Sequence, residues 1–414
     1  MKNIILGFIL VALVSCSKSV STPIAVPIPI TSIVTPPSIV VPTLANLNYY
    51  GKTSYELKVA QQGFVNIDSI RSVLGIRSKG LGNGDMNNGY VYVDINNDGL
   101  EDIFYTYRSE GNYNTKPDVL INKGGYYLLD NSMLPDNYLG NVLTRKTLVG
   151  DFNNDSLPDL FLINHGWDAA PFTGEICTLL LSDKITHKYK LGNLSMLPIA
   201  FWHGGASGDL NGDGNLDIIV LGGHPAKVLY GDGKGNFTAV DWKYNAGDGY
   251  ITGEIVDIDK DGQNDIILSG DEGRPAPALY SPSTIFWNTH TEFSKQSVIV
   301  TPSTNGWGSV MDIAVGDIDG DGINEILFDR TGDITGAWYG GYNINVYKSN
   351  ATYTAFSDMT TTYINNPISI KPQTTGWMFR MILYKTNNRW ILRGETTDKK
   401  IKNWQQDPIT KIFN

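Results

Sequence analysis

The chain has 414 residues, of which 41% are hydrophobic and 18% charged, with 44 glycines and 19 prolines. This composition is too apolar for a disordered protein and too rich in glycine for a helical bundle. Lysine and arginine total 32 against 42 aspartates and glutamates, and the net charge of −10 excludes a protein that binds nucleic acid by neutralising phosphates.

The N-terminus begins with a positive charge and an apolar run. Lys2 precedes residues 4–14, an apolar stretch that is too short to span a bilayer but suits a signal-peptide core. The run ends in Leu13-Val14-Ser15-Cys16, which resembles a bacterial lipobox. Residues 1–15 are therefore predicted to be a lipoprotein signal peptide and Cys16 the lipid attachment site. A plain secretory signal with an incidental cysteine is the alternative.

Two cysteines exclude a disulfide scaffold and a zinc site built mainly from thiolates. If Cys16 carries a lipid, Cys177 has no intramolecular partner and is expected to be a small buried residue. Residues 16–45 contain six prolines and are predicted to form an extended tether ahead of a domain over residues 46–414. A location at the outer membrane of a Gram-negative bacterium follows, with surface and periplasmic exposure both open.

A nine-residue motif of the form D-x-[DN]-x-D-G-x-x-[DE] occurs five times after the tether. The copies are DINNDGLED, DFNNDSLPD, DLNGDGNLD, DIDKDGQND and DIDGDGINE, and their first residues lie 57, 58, 48 and 60 residues apart. One copy has the composition of a polar turn, but five copies at near-regular spacing indicate an internal repeat.

The motif supplies oxygen ligands in the pattern that Ca²⁺ prefers. Side chains at positions 1, 3, 5 and 9 and the carbonyl at position 7 provide the oxygens, and glycine at position 6 permits the tight turn. Up to five structural Ca²⁺ ions are predicted. The predicted ligands are Asp94, Asn96, Asp98, Leu100, Asp102, Asp151, Asn153, Asp155, Leu157, Asp159, Asp209, Asn211, Asp213, Asn215, Asp217, Asp257, Asp259, Asp261, Gln263, Asp265, Asp317, Asp319, Asp321, Ile323 and Glu325.

The residues after each motif exclude an EF-hand. An EF-hand needs glutamate at position 12, where this chain has Tyr105, Leu162, Val220, Leu268 and Phe328. Each of these lies in a short apolar run typical of a buried strand, so the motifs are predicted to be loops of β-hairpins. A second pair of strands follows in several copies, for example at 227–242, 284–299 and 344–357. Four strands per 55–60 residues predict the blades of an all-β propeller.

These repeats resemble the FG-GAP/VCBS family, whose calcium-loop blades also build the integrin α-subunit propeller. The resemblance is strong over residues 85–330, and it implies that the motif positions are metal ligands. The second copy departs from the pattern at Ser156 and Pro158, so its metal binding stays open. The copies that start at Asp257 and Asp317 carry four carboxylates each and are predicted to bind most tightly.

Residues 377–396 are predicted to form a sixth hairpin whose loop has lost its carboxylates. Six blades closed by paired N- and C-terminal strands are preferred, and seven blades are the alternative. Closure is expected because unpaired edge strands favour aggregation.

The loops opposite the motif loops, here called the variable face, carry the other candidate residues. They are His165, Trp167, Asp168, Trp202, His203, His224, Arg274, Trp307 and Arg330. Exposed tryptophan beside arginine and histidine is typical of recognition surfaces for sugars or proteins. Packing of the loops between blades is the competing interpretation.

The sequence as a whole favours a lipid-anchored, calcium-stabilised propeller that binds or scaffolds a protein complex or a glycan in the envelope. No enzyme motif occurs in a fitting context. A polysaccharide lyase is the enzymatic alternative, because some lyases use calcium-bearing propellers. His203 or His224 together with Arg274 would then be the candidate catalytic set.

Overall fold

The computed structural model describes residues 90–414 apart from residues 101, 110, 113, 125–126, 223–224, 245–248, 273–280, 290–291, 297–305, 334–338, 366–367, 371–375, 387 and 398–400. The predicted signal peptide, Cys16 and the tether lie outside the described residues, as do the first 44 residues of the predicted 46–414 domain. Within the described part of the chain, no helix has the length and apolar character needed to cross a membrane.

The described residues form six antiparallel sheets, numbered here as blades in chain order. Blade 1 contains β1 (Val91–Val93), β2 (Asp102–Tyr105), β3 (Asp118–Asn122) and β4 (Tyr127–Leu129). A 3-10 helix (Asn131–Met133) follows it. Blade 2 contains β5 (Thr144–Gly150), β6 (Asp159–Asn164), β7 (Thr178–Asp183) and β8 (Lys188–Leu191). Blade 3 contains β9 (Gly204–Gly208), β10 (Asp217–Leu221), β11 (Lys227–Gly231) and β12 (Phe237–Asp241).

The remaining blades repeat this order. Blade 4 contains β13 (Tyr250–Val256), β14 (Asp265–Gly270), β15 (Thr284–Asn288) and β16 (Phe293–Gln296). Blade 5 contains β17 (Trp307–Gly316), β18 (Glu325–Asp333), β19 (Tyr342–Ser349), β20 (Phe356–Asp358) and β21 (Ser369–Ile370), with the short helix α1 (Thr360–Tyr363) after β20. Blade 6 contains β22 (Met378–Thr386), β23 (Arg389–Thr396) and β24 (Ile401–Gln405).

The first strands of neighbouring blades contact one another around a ring. Contacts run from β5 to β9, from β9 to β13, from β13 to β17 and from β17 to β22. The Tyr90 ring lies edge-on to Phe379 of blade 6, and the Tyr90 carbonyl accepts a hydrogen bond from Arg380. Blade 6 therefore contacts the start of blade 1, and the described residues confirm six blades. The predicted pairing of N- and C-terminal strands lies outside the described residues.

The apolar core is divided into layers between blades. Val93 of blade 1 and Leu160 of blade 2 belong to one buried cluster, and Ile267 of blade 4 and Phe328 of blade 5 belong to another. Cys177 is buried in the layer between blades 2 and 3, as expected from the sequence. Blades 2 to 5 each contribute apolar side chains to the layers on both of their faces, which explains why their second strands are apolar at successive positions.

The innermost strand of blade 3 consists of small residues because the next blade lies against it. A Cβ atom on Gly204 would lie 2.2 Å from the carbonyl oxygen of Ile251, and one on Gly208 would lie 2.5 Å from the Ile255 side chain. Neither separation is sterically possible, so this approach requires glycine.

Trp202 is fully buried in the layer between blades 2 and 3. We expect Trp202→Ala to lower the free energy of unfolding by about 3–5 kcal/mol, because it removes a large buried side chain and leaves a cavity. Phe172, which is 57% exposed, supplies the control, and Phe172→Ala is expected to change stability by about 0.5 kcal/mol or less. Urea unfolding measures both. If both variants lost the same small amount of unfolding free energy, Trp202 would not belong to the core.

Candidate functional site

All five predicted motif loops connect the first and second strands of a blade, and the ninth motif residue is the first residue of the second strand. Within each loop the first-position aspartate accepts a hydrogen bond from the sixth-position N–H. In the fourth copy Gly262 N–H donates to Asp257 Oδ2 at 3.0 Å. The same contact measures 2.8 to 3.0 Å in the other four copies. The hairpin interpretation is therefore confirmed.

The ninth-position carboxylate is buried and joins the loop to the sheet. Asp265 accepts a hydrogen bond from Ile258 N–H at 3.0 Å and another from Asn288 N–H of the third strand at 2.9 Å. Equivalent pairs of hydrogen bonds recur in the first three copies. In the fifth copy Glu325 accepts the corresponding loop hydrogen bond from Ile318 N–H at 2.7 Å. This position therefore orients both the loop and the second strand.

The second copy keeps the loop geometry although serine replaces glycine. Ser156 has a φ of 71°, in the same left-handed region as the glycines of the other copies, which have φ between 85° and 94°. Serine adopts this conformation at some cost in strain. The departure from the motif therefore leaves the turn intact, and the metal binding of this loop remains a prediction.

Burial raises the pKa of the ninth-position carboxyls. The pKa rises to about 8 at Asp265, to about 7 at Asp102, Asp159 and Glu325, and to about 6 at Asp217. In this range the metal-free folded protein binds protons that the unfolded chain, with its carboxyls near pKa 4, has already released. The stability of the metal-free protein therefore falls as the pH rises from about 4 through about 7. A nearby cation opposes this loss because it favours the ionised carboxylates.

Two loops bring carboxylate oxygens close enough to share one cation. Oxygens of Asp257, Asp259 and Asp265 all lie within 4.8 Å of one another, and so do those of Asp317, Asp319 and Glu325. Since Ca²⁺–O distances are about 2.4 Å, two ligands on opposite sides of one ion are about 4.8 Å apart. Both clusters fit a calcium ion by this criterion. The first three loops carry asparagine instead of aspartate at the third position.

Part of the variable face forms a buried polar cluster. His165 Nε2 lies 3.2 Å from His203 Nε2 and 3.4 Å from Arg145 Nη2, and Arg145 also contacts Asp168 at 3.4 Å. Burial and the charge of Arg145 lower the pKa of His203 to about 3. Both also lower the pKa of His165 far below its usual value. The two histidines are therefore neutral and pack the loops of blades 2 and 3.

The exposure predicted for several residues of the variable face is wrong. Trp202 is fully buried in the apolar layer between blades 2 and 3, and Trp307 at the start of β17 is 5% exposed. Arg330 is also buried, where its Nε donates to Glu272 at 2.9 Å. Trp167 is partly exposed. His224 and Arg274 lie outside the described residues. For Trp202, Trp307, Arg330 and His165 the packing interpretation is confirmed.

Sequence reasoning missed a cationic cluster where the first strands converge. Arg145 and Lys146 of β5 and Arg380 of β22 line a cavity of about 30 Å³, together with Asp312 of β17. Lys146 Nζ lies 3.9 Å from Asp312 Oδ1, and the Arg145 guanidinium lies 5.5 Å from the centre of the Tyr339 ring. The cavity has room for about one water molecule. No motif marks these residues, because they come from separate strands.

A larger groove lies on the variable face between blades 1 and 2. Its volume is about 680 Å³, and it is lined mainly by the segments that precede β3, β5, β7 and β9. Glu175 is a charged lining residue, and its carboxylate accepts hydrogen bonds from Val142 N–H at 3.0 Å and Leu143 N–H at 3.4 Å. Burial raises the pKa of Glu175 to about 7. Aliphatic side chains, amides and hydroxyls form most of the rest of the lining.

The ring of six blades, with motif loops in the first hairpin of five of them, defines the class of protein as a repeat-containing β-propeller. Within it, residues 209–268 and 257–328 match the family model for an FG-GAP-like repeat. Residues 209–328 of this β-propeller therefore contain FG-GAP-like repeats, as their motifs predicted. No curated protein matches the chain in sequence.

Several solved structures resemble the chain at low identity. The Pseudomonas aeruginosa PilY1 C-terminal domain is 11% identical, with 73% of this chain and 78% of that chain covered and a TM-score of 0.41. The V. cholerae biofilm matrix protein Bap1 is 15% identical, with coverages of 74% and 46% and a TM-score of 0.37. A Synechocystis apocarotenoid oxygenase is 11% identical, with coverages of 84% and 73% and a TM-score of 0.41. TM-scores this low carry no argument about function.

Proposed function

We propose that this chain is a lipid-anchored, calcium-stabilised β-propeller that binds a protein partner in the bacterial envelope through the groove between blades 1 and 2. The observation that carries the binding role is the exposed aliphatic lining of this groove. Leu139 and Ile199 line it and are each 69% exposed, although both are large apolar side chains. Contiguous exposed apolar surface of this kind marks interaction sites.

Five of the eleven exposed large apolar side chains in the described part of the chain lie at or beside this groove. Among the described residues, the exposed large apolar side chains at or beside the groove are Leu139, Phe172, Ile176, Leu191 and Ile199. The groove contains little charge, and the carboxylate of Glu175 is turned to backbone N–H groups. An apolar protein segment therefore suits this groove better than an ionic ligand, since interface cores are depleted of charge.

Calcium is proposed as a structural ion on the opposite face. The motif loops hold three or four carboxylates within nine residues, and such groups repel one another without a cation. The oxygen spacing in the fourth copy supports this role. The loops and the groove lie on opposite faces, so calcium stabilises the propeller without contacting the partner.

The lipid anchor rests on the sequence around Cys16, which places a lipobox-like tetrapeptide after an apolar run. No enzymatic activity is proposed. Of the candidate lyase residues, His203 is a very weak base because its pKa is lowered to about 3. His224 and Arg274 lie outside the described residues, so the lyase hypothesis stays an untested prediction.

The groove is tested by introducing charge at its rim. We expect Leu139→Asp and Ile199→Asp to reduce partner capture from solubilised envelope by about tenfold or more, because each buries a charge against an apolar partner surface. Ile185→Asp and Ile409→Asp are matched controls, since both positions are at least 88% exposed and lie outside the groove. Quantitative affinity capture followed by titration with the purified partner measures the effect.

Equal capture by the rim variants and the controls would contradict the groove as the binding site. A glycan array with the same four variants separates the two classes of ligand. Glycan binding that is lost only in the rim variants would reassign the groove from a protein to a glycan.

Calcium is tested by thermal melting in EDTA and in millimolar Ca²⁺. Saturating a weak site at about ten times its dissociation constant contributes about 1.4 kcal/mol, so several sites raise the melting temperature by several degrees. Asp261→Ala is expected to erase more of this gain than Asp155→Ala, because its loop has four carboxylates rather than three. The gain should be larger at pH 8 than at pH 6, where protons already neutralise part of the buried carboxyls. Identical melting curves with and without calcium would refute the proposal.

The anchor is tested by Cys16→Ala. This change removes the thiol that would carry the lipid, so the protein should move from the detergent phase to the aqueous phase in Triton X-114 partitioning. Cys177→Ala is the control and should leave partitioning unchanged. If Cys16→Ala still partitions into detergent, the chain is not anchored through this residue.

A further inference from the structure

The fifth motif loop contains a lysine side chain among its carboxylates. Lys348 lies on β19, opposite Glu325 in the strand register. Its Nζ atom lies 2.5 Å from Asp319 Oδ2, 2.8 Å from Asp321 Oδ2 and 2.7 Å from Glu325 Oε1. Three carboxylates of the loop thus surround one ammonium group.

A second lysine reaches the remaining carboxylate of this loop from the neighbouring blade. Lys260, within the fourth motif loop, places its Nζ 3.4 Å from Asp317 Oδ2. The Tyr363 hydroxyl of α1 also donates to Asp319 Oδ2 at 2.5 Å. All four carboxylates of the fifth loop therefore lie within 4 Å of a lysine ammonium group.

The fourth motif loop has the same number of carboxylates but lacks these partners. Among the described residues, no lysine or arginine forms an ion pair with Asp257, Asp259, Asp261 or Asp265. The strand registers place Trp287 in blade 4 where blade 5 has Lys348. The same register position holds Ile121, Leu181 and Tyr230 in the first three blades. A lysine at this position therefore occurs in the fifth blade alone of these five.

We propose that Lys348 and Lys260 act as built-in cations that hold the fifth loop without metal, so that the fourth loop is the principal calcium site. The two ammonium groups supply the same total charge as one Ca²⁺ ion. The lysine ammonium has three donors, which matches the three carboxylates around Lys348. A calcium ion that entered the fifth loop would have to displace this ammonium and would be repelled by its charge.

This inference rests on the proposed calcium role and refines it. The sequence places the fourth and fifth loops together as the tightest calcium sites, because both have four carboxylates. In the structure the two loops differ because Lys348, which lies 23 positions after Glu325, contacts the carboxylates of the fifth loop only. The consequence is a blade 5 whose stability does not require calcium, beside a blade 4 whose stability does.

The first test compares equivalent third-position ligands by calcium titration calorimetry of the full chain. Asp259→Asn is expected to weaken or remove one calcium site, whereas Asp319→Asn is expected to leave the calcium stoichiometry unchanged. Equal losses in the two variants would overturn the inference while the calcium role itself stands. If the wild-type protein takes up no calcium at all, the calcium role is refuted, and the lysine assignment is then decided by the second test.

The second test removes the ammonium group while keeping the length of the side chain. Lys348→Met is expected to lower the melting temperature in EDTA and to gain one calcium ion per chain, with calcium restoring the lost stability. Lys190→Met, at an exposed position on β8, is the control and should change neither quantity. A Lys348→Met protein that melts like the control in EDTA and gains no calcium site would overturn the inference. Adding Lys260→Met should increase both effects.

Discussion

A buried carboxylate at the start of the second strand connects three parts of each repeat-bearing blade. In the fourth copy Asp265 accepts hydrogen bonds from the motif loop and from the third strand, and the first three copies repeat both contacts. Leaving such a group unsatisfied in the interior costs about 1–3 kcal/mol or more, so the loop and the third strand are held in one geometry. The shape of the motif loops and the register of the blades both depend on this contact.

This hydrogen-bonded carboxylate constrains the loops on one face of the propeller only. The motif loops are short, hydrogen-bonded within themselves and nearly identical in backbone geometry, as the five left-handed residues at their sixth positions show. The loops on the opposite face share no such constraint and differ in length between blades. They are therefore free to form a polar cluster in one place and an open groove in another, which is why the proposed binding role is assigned to that face.

Charge is distributed differently at the two faces. The motif loops concentrate carboxylates, whose mutual repulsion a cation would reduce, and in blade 5 lysine ammonium groups lie beside them. Where the first strands converge, Arg145, Lys146 and Arg380 gather around a small cavity although the chain as a whole is acidic. The groove between blades 1 and 2 has little charge at all. Three chemically distinct regions thus coexist on one repeated scaffold.

Much of this protein follows from its sequence alone, because the decisive interactions are local. The nine-residue motif contains both partners of its main hydrogen bonds, and apolar strands follow it directly, so the hairpins, the blades and their number could be predicted.

What the tertiary structure alone decided involves residues from separate blades. Trp202 lies next to His203 in a segment that the sequence placed among candidate recognition loops, yet residues of blades 2 and 3 bury it completely. His165, His203 and Arg145 meet across blades, and Lys348 reaches the fifth motif from a different strand. Residue composition within a motif gives the number of its charges, whereas the position of a counter-charge depends on strand register and on the packing of one blade against the next.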